Sequence, residues 1–159
     1  MFIGCNYTVP ARQNLPGQSG GGGGDIVNEA FEIEVVIPAD DLVFPLYGLT
    51  SDANLYDYQV DWGDSTSDTY VADRNASYTY SAAGTYKVSV TGDWPGARFS
   101  VSQNKLNRVT KLLNWGRTGI TDLSSWFIGS TALVEVNCQD TLQWNATTST
   151  GSMYRTFYN

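Results

Sequence analysis

A chain of 159 residues has room for one domain of ordinary size and a smaller appendage, and two large domains do not fit. Charged residues make up only 16%, the net charge is −7 and histidine is absent. A binder of nucleic-acid phosphates, which needs clustered Lys and Arg, is therefore excluded, as are Ser-His-Asp and Cys-His catalysis and most catalytic zinc sites. Aromatics at 13% and hydrophobic residues at 42% still provide material for a real core.

Residues 1–24 hold Pro10 and Pro16 and end in the run Gly20 to Gly24. Such a run has high backbone entropy and behaves as a flexible spacer. The segment before it carries Phe2, Ile3, Tyr7, Val9 and Leu15, apolar side chains that a solvated linker does not need. These five residues are the candidate anchor to a partner chain, in an extended and β-paired conformation. The opening Met1-Phe2-Ile3-Gly4-Cys5 has no basic leader and no apolar stretch of export-signal length, so the expectation is a protein without an export signal. No run approaches the roughly 18 apolar residues of a spanning helix, and membrane insertion is not expected. Cys5 and Cys138 lie in segments of different character and are expected as two free thiols, which suits assembly in a reducing cytoplasm.

From Phe31 the pattern is alternation. Phe31, Ile33, Val35 and Ile37 point one way, and Glu32 and Glu34 the other. Leu42 to Tyr47 is a second strand, held to an edge or a bulge by Pro45. Tyr56 to Trp62 alternates again, followed by short strands at Asp68 to Val71 and Ala76 to Tyr80. Tyr86, Val88 and Val90 then face the core while Lys87 and Ser89 face solvent. Short strands parted by Gly, Asp, Asn and Ser turns predict an antiparallel sandwich or barrel. No amphipathic helix of ten residues is predicted before residue 120.

Within this region Val60-Asp61-Trp62-Gly63-Asp64, then Ser77-Tyr78-Thr79-Tyr80, then Gly84-Thr85-Tyr86 occur in order. Physically, Trp62 closes a strand, Gly63 supplies a turn that a Cβ would hinder, and Asp64 accepts turn amides. The three elements together resemble the polycystic-kidney-disease (PKD) domain, over about residues 30–92. The resemblance implies an immunoglobulin-like antiparallel β-sandwich with Trp62, Gly63, Asp64, Tyr80, Gly84 and Tyr86 as its fold motif. The sequence departs from the family at Ser65, where a second glycine is usual, and at Tyr78, where histidine is usual.

Beyond Gly92, Leu106-x-x-Val109-x-x-Leu112 is echoed by Leu133-x-x-Val136, and Leu123 and Phe127 are echoed by Met153 and Phe157. Echoes at this separation fall around the roughly 20–29 residues of stacked repeats. The segment resembles the leucine-rich repeats of bacterial surface proteins of the BspA type. The expected organisation is thus an anchor arm and hinge over 1–24, a PKD-like sandwich over 25–103 and a partial leucine-rich-repeat-like segment over 104–159.

Chemistry is sparse. Asp61, Asp64 and Asp68 read as turn residues rather than an acid and base pair. With Asp73 they are the candidate ligands of a calcium ion, although no Asp-x-Asp-x-Asp loop encloses one, and no cofactor is expected. Tyr47, Trp94, Trp115, Trp126 and Trp144 are candidates for a sugar-stacking platform or, singly, for core packing. Asn6, Asn75 and Asn145 match glycosylation sequons that need a secretory route. The expected function is a non-enzymatic structural or adhesion component of a bacteriophage virion: a decoration, tail or fibre protein. Its expected partners are other virion proteins, further copies of itself and a host-surface glycan. The alternative is a carbohydrate- or protein-binding module of a larger secreted enzyme or bacterial surface protein, located outside the cell.

Overall fold

Strand β1 (Phe31–Ile37) places Phe31, Ile33, Val35 and Ile37 in the core, each fully buried, as its alternation requires. The computed structural model describes residues 30–97, 108–124, 126–127, 130–138, 140 and 142. Seven more strands follow: β2 (Val43–Tyr47), β3 (Asp57–Asp61), β4 (Ser67–Val71), β5 (Asn75–Thr79), β6 (Gly84–Asp93), β7 (Val109–Asn114) and β8 (Glu135–Val136). The described residues are mainly β, with one 3-10 turn at Ala53–Leu55.

Six strands form one sheet in the order β4-β3-β6-β1-β7-β8, and β2 and β5 form a second. Phe44 and Leu46 from β2 and Ala76 from β5 share one buried cluster with Ile33, Val60 and Val88 of the large sheet. Pro45, which has no N–H to give a ladder, sits in β2, whose one ladder partner among the described strands is β5. Near the start of β2, the Arg108 guanidinium donates to the Val43 carbonyl at 2.7 Å and pairs with Asp41 at 2.5 Å.

The ladders differ from the expected strands in three ways. Tyr56 and Trp62 lie outside β3, because only Asp57–Asp61 stays in register with β4 and β6. The sheet is not wholly antiparallel, since β7 and β8 run parallel with Lys111 opposite Glu135 and Leu112 opposite Val136. That register is not the one the leucine echo implies: the echo aligns Val136 with Val109, whereas the ladder sets Val136 beside Leu112, with Val134 N–H on the Thr110 carbonyl and Asn137 N–H on the Leu112 carbonyl. The echo matched side-chain types out of step with the backbone pairing.

Described residues on both sides of the boundary expected at 103/104 share one buried cluster. β7 pairs with β1 on the side opposite β6, so β1 is hydrogen-bonded along both edges. Val109, Leu112, Trp115, Ile120, Leu123, Trp126, Phe127 and Leu142 belong to the same buried cluster as the strands before Gly92. Phe31 packs against Trp94 with ring centroids 4.9 Å apart and edge-on to Trp126 at 5.7 Å. Gly96 makes this possible, since a Cβ there would lie 2.0 Å from the Trp126 ring. The Asp140 carboxylate receives the Trp115 and Gly116 amides at 2.9 and 2.6 Å, and Gly116 (φ 69°) presses against the Ala30 backbone.

The outer face of the large sheet is polar but not loosely solvated. Glu32 is buried because Lys87 (2.8 Å), Ser89 (3.4 Å) and Asn114 from both flanking strands converge on its carboxylate. Glu34 accepts from Thr110 (2.9 Å) and pairs with Lys111 (3.2 Å), which also reaches Glu135 at 3.8 Å. Cross-strand pairs of this kind contribute about 0.2–1 kcal/mol each and favour one register. Lys87 is accordingly a partner of Glu32 as well as a solvent-facing residue.

Leu112 tests whether β7 belongs to the same cooperative unit. Leu112→Ala should cost about 2–5 kcal/mol as a large-to-small core change and lower the single melting transition of the whole chain. A separate, smaller transition moved by this substitution, with the main melt unchanged, would show the C-terminal strands to be an independent unit.

Candidate functional site

Three parts of the predicted motif come together at one end of β3. Trp62 N–H bonds the Thr66 carbonyl at 3.1 Å and closes a turn over 62–66. Gly63 has φ 82°, and a Cβ on it would lie 2.5 Å from the Lys87 carbonyl oxygen of β6. Only glycine meets both demands without displacing backbone. The Asp61 carboxylate accepts the Gly63 amide at 2.8 Å, and Asp64 Oδ1 accepts the Thr66 amide (3.1 Å) and hydroxyl (2.6 Å).

Trp62 is fully buried under this turn, stacked on Tyr78 at 5.1 Å with 11° between the rings, and its indole N–H donates to Asp68 at 2.8 Å. Tyr80, also buried, donates its hydroxyl to the Trp62 carbonyl at 2.9 Å. Its ring stacks on Tyr86 at 4.1 Å. Tyr86 in turn donates to the Ala82 carbonyl at 3.0 Å and lies close over Gly84. All six motif residues are therefore placed in one turn and ring stack. Ser65 and Tyr78 also take part in this arrangement. Ser65 stands at φ 75°, a conformation that favours glycine, and the Tyr78 hydroxyl reaches Asp64 Oδ2 at 2.8 Å, tying β5 to the turn.

The aspartates read as turn residues, and with Asp73 as candidate calcium ligands, accept turn amides or, for Asp68, the Trp62 indole N–H. Asp61, Asp64 and Asp68 serve this turn and the Trp62 indole, while Asp73 accepts the Asn75 amide at 2.8 Å in another turn. Partial burial pushes the Asp64 carboxyl up, but hydrogen bonds from Thr66 and Tyr78 outweigh this and hold it below the usual carboxylate range. Among the described residues no group of three or more His, Cys, Asp or Glu is placed to hold a metal ion, and no helix is long and apolar enough to cross a membrane.

The stacking platform does not form from the described tryptophans. Trp94, Trp115 and Trp126 are buried in the core, where they meet other rings and aliphatic side chains rather than solvent. Tyr47 is 38% exposed on β2, and Trp144 lies outside the described residues. The anchor residues Phe2, Ile3, Tyr7, Val9 and Leu15, and Cys5, also lie outside them; Cys138 is half-buried against the core. Spacing gave no sign of Arg108 on β2 or of Asp140 beneath Trp115, because both act across long stretches of chain. Comparison with family models, curated proteins and solved structures finds no match to this chain.

Two outcomes follow from this geometry. Gly63→Ala should cost at least about 2 kcal/mol, since it adds both a φ penalty and a backbone clash. Ser65→Gly should be neutral or stabilising by up to about 1 kcal/mol, because relief of the left-handed backbone offsets the added unfolded-state entropy. Urea melts that rank the two substitutions the other way would contradict the turn.

Burial also raises the hydroxyl pKa of Tyr58 and of Tyr80. A folded pKa above the unfolded one gives stability that is complete below about pH 10 and lost as pH rises beyond it. The melting temperature should hold between neutral pH and about pH 9 and then fall, less steeply in Tyr58→Phe. An equally steep fall in that variant would mean that Tyr58 ionisation is not linked to unfolding.

Proposed function

We propose that this chain is a non-enzymatic structural or adhesion component of a bacteriophage virion, a decoration, tail or fibre protein. It presents a PKD-like β-sandwich with a leucine-rich-repeat-like continuation. The observation that carries the reading is that the conspicuous motif is committed to the fold. Trp62, Gly63, Asp64, Tyr80 and Tyr86 are held by hydrogen bonds and ring contacts among themselves and with β5 and β6. That is the use a display scaffold has for such residues, and it leaves no general acid or base among them. The sharing of one buried cluster by the two sheets supports a sandwich.

The remaining support is in the sequence. Phe2, Ile3, Tyr7, Val9 and Leu15 precede a five-glycine run, an arrangement suited to an arm that binds a neighbouring virion subunit while the sandwich stands off on a hinge. Partners in this reading are other virion proteins, further copies of the chain and a host-surface glycan, with no nucleic acid, no cofactor and no membrane insertion. A second reading, a binding module of a secreted enzyme or bacterial surface protein, is favoured by the parallel pairing of β7 and β8, the strand relation found in stacked surface repeats.

Purified particles of the phage that encodes the chain distinguish the two. The full chain should co-purify with particles, and a chain lacking residues 2–19 should fold with a nearly unchanged melting temperature yet be missing from them. Normal incorporation of the truncated chain, or absence of the full chain from particles, would overturn the virion reading.

A further inference from the structure

Strand β4 closes one end of the six-stranded sheet, and on its outer side no strand among the described residues pairs with it. At the other end β8 is only two residues long. Sheet edges are commonly blunted by proline, lysine, a bulge or a very short strand. The Ser67–Val71 strand has none of these, and its register with β3 runs unbroken over five residues. Ser67, Asp68, Thr69 and Val71 are exposed, Val71 to 67%. Its one charged residue, Asp68, stands opposite the buried Val60 and takes the Trp62 indole N–H at 2.8 Å, so it is engaged within its own chain.

Two backbone bonds fix which groups of β4 are left over. The Trp62 amide bonds the Thr66 carbonyl at 3.1 Å, and the Ala72 amide bonds the Tyr56 carbonyl at 2.8 Å. Bonded and non-bonded pairs alternate along an antiparallel ladder, so between these two bonds it is Asp68 and Tyr70 that give their backbone groups to β3. Ser67, Thr69 and Val71 therefore direct their N–H and C=O groups away from β3. Among the described residues no backbone bond reaches these outward groups. They stand evenly about Thr69.

That spacing suits a second copy of the same strand. Turned about a two-fold axis through Thr69, an antiparallel β4 sets Thr69 against Thr69 and Ser67 against Val71 on either side. Three outward N–H groups on each copy then find three outward carbonyls on the other, six bonds in all. The same register places Asp68 opposite Tyr70. Moving the axis to Asp68 or Tyr70 loses two of the bonds, and the first move sets two Asp68 carboxylates face to face, which destabilises a pair. We propose that two copies of this chain pair edge to edge through β4, centred on Thr69, and join their large sheets into one. Charge opposes the encounter, since each copy carries −7 and Asp57 and Asp61 lie on β3 beside the edge. The pair is therefore weak in dilute low-salt solution and favoured by screening and by crowding. It gives the further copies in the virion reading a contact surface, and rests on that reading only for the crowding of copies on a particle.

The test is sedimentation equilibrium of the full chain at low salt and at about 0.5 M NaCl, with nuclear Overhauser contacts read between labelled and unlabelled copies. A reversible monomer–dimer equilibrium, tighter at the higher salt, is expected. Asp68 Hα of one copy should contact Tyr70 Hα of the other, the close non-bonded pair of this register. Thr69→Pro removes two of the six donors at a position whose N–H faces outward, where an edge strand accommodates proline. It should weaken the dimer about tenfold or more. Thr69→Glu, which sets two carboxylates opposite each other at an exposed position, should weaken it likewise with the monomer's melting temperature kept, so the outcome does not hang on the proline variant folding. Val134→Ser, at the exposed far side of the sheet, should leave the dimer unchanged. A monomer at every concentration and salt, a dimer indifferent to both Thr69 substitutions, a dimer tighter at low salt, or contacts of another register would each overturn the proposal. The chain lacking residues 2–19 should dimerise as the full chain does, so a failure of this pairing is separable from a failure of the virion reading.

Discussion

The structure depends on strand β1 being hydrogen-bonded along both edges. A strand so placed has no edge to protect, and its inward side chains are closed in by β6 on one side and β7 on the other. Its register with β6 runs unbroken from Phe31 opposite Val90 to Ile37 opposite Gly84, while that with β7 shifts twice. The first pairing is the regular one. The second is irregular, yet it recruits Trp115, Ile120, Leu123, Trp126 and Leu142 into the same core. Without it, the face of Phe31 that meets Trp126 would open to water.

On the outer face the same strand organises charge. Glu32 and Glu34 collect Lys87, Asn114, Thr110 and Lys111 from their neighbours, and Lys111 extends the chain of contacts to Glu135 on β8. Each contact is weak alone, but a one-residue slip would break them together and turn the apolar side chains outward. At the far end of the sheet the Trp62 turn performs a comparable service. Gly63 packs on the β6 backbone, and the Tyr78 and Tyr80 hydroxyls fasten β5 and the segment after it to the turn.

Much of this was legible in the sequence where a physical rule acts over a few residues. Alternation located β1 and the core positions of β3 and β6, and Gly63 and Asp64 announced their turn by residue type. What escaped was set by partners far along the chain. Nothing local says that Val109 to Asn114 will pair with β1, that β8 will run parallel to β7 with Val136 opposite Leu112, or that Glu32, alternating outward, will be buried by its neighbours' side chains. The tryptophans show the same limit, since a strand-end Trp serves a sugar or a core equally well until Phe31 and Gly96 are seen beneath Trp94 and Trp126.

The functional reading and the fold meet in the idea of a single rigid body for display, with the motif residues as its internal fastenings. Native-state hydrogen exchange tests that body most directly. If β1 joins the two halves, the amides of Ile33 and Val35, of Val88 and Val90 on β6, and of Leu112 on β7 should exchange only through global unfolding, with one common free energy. Exchange of the β7 amide through a much cheaper local opening, while β1 and β6 stay protected, would contradict the account and leave the C-terminal strands as an appendage.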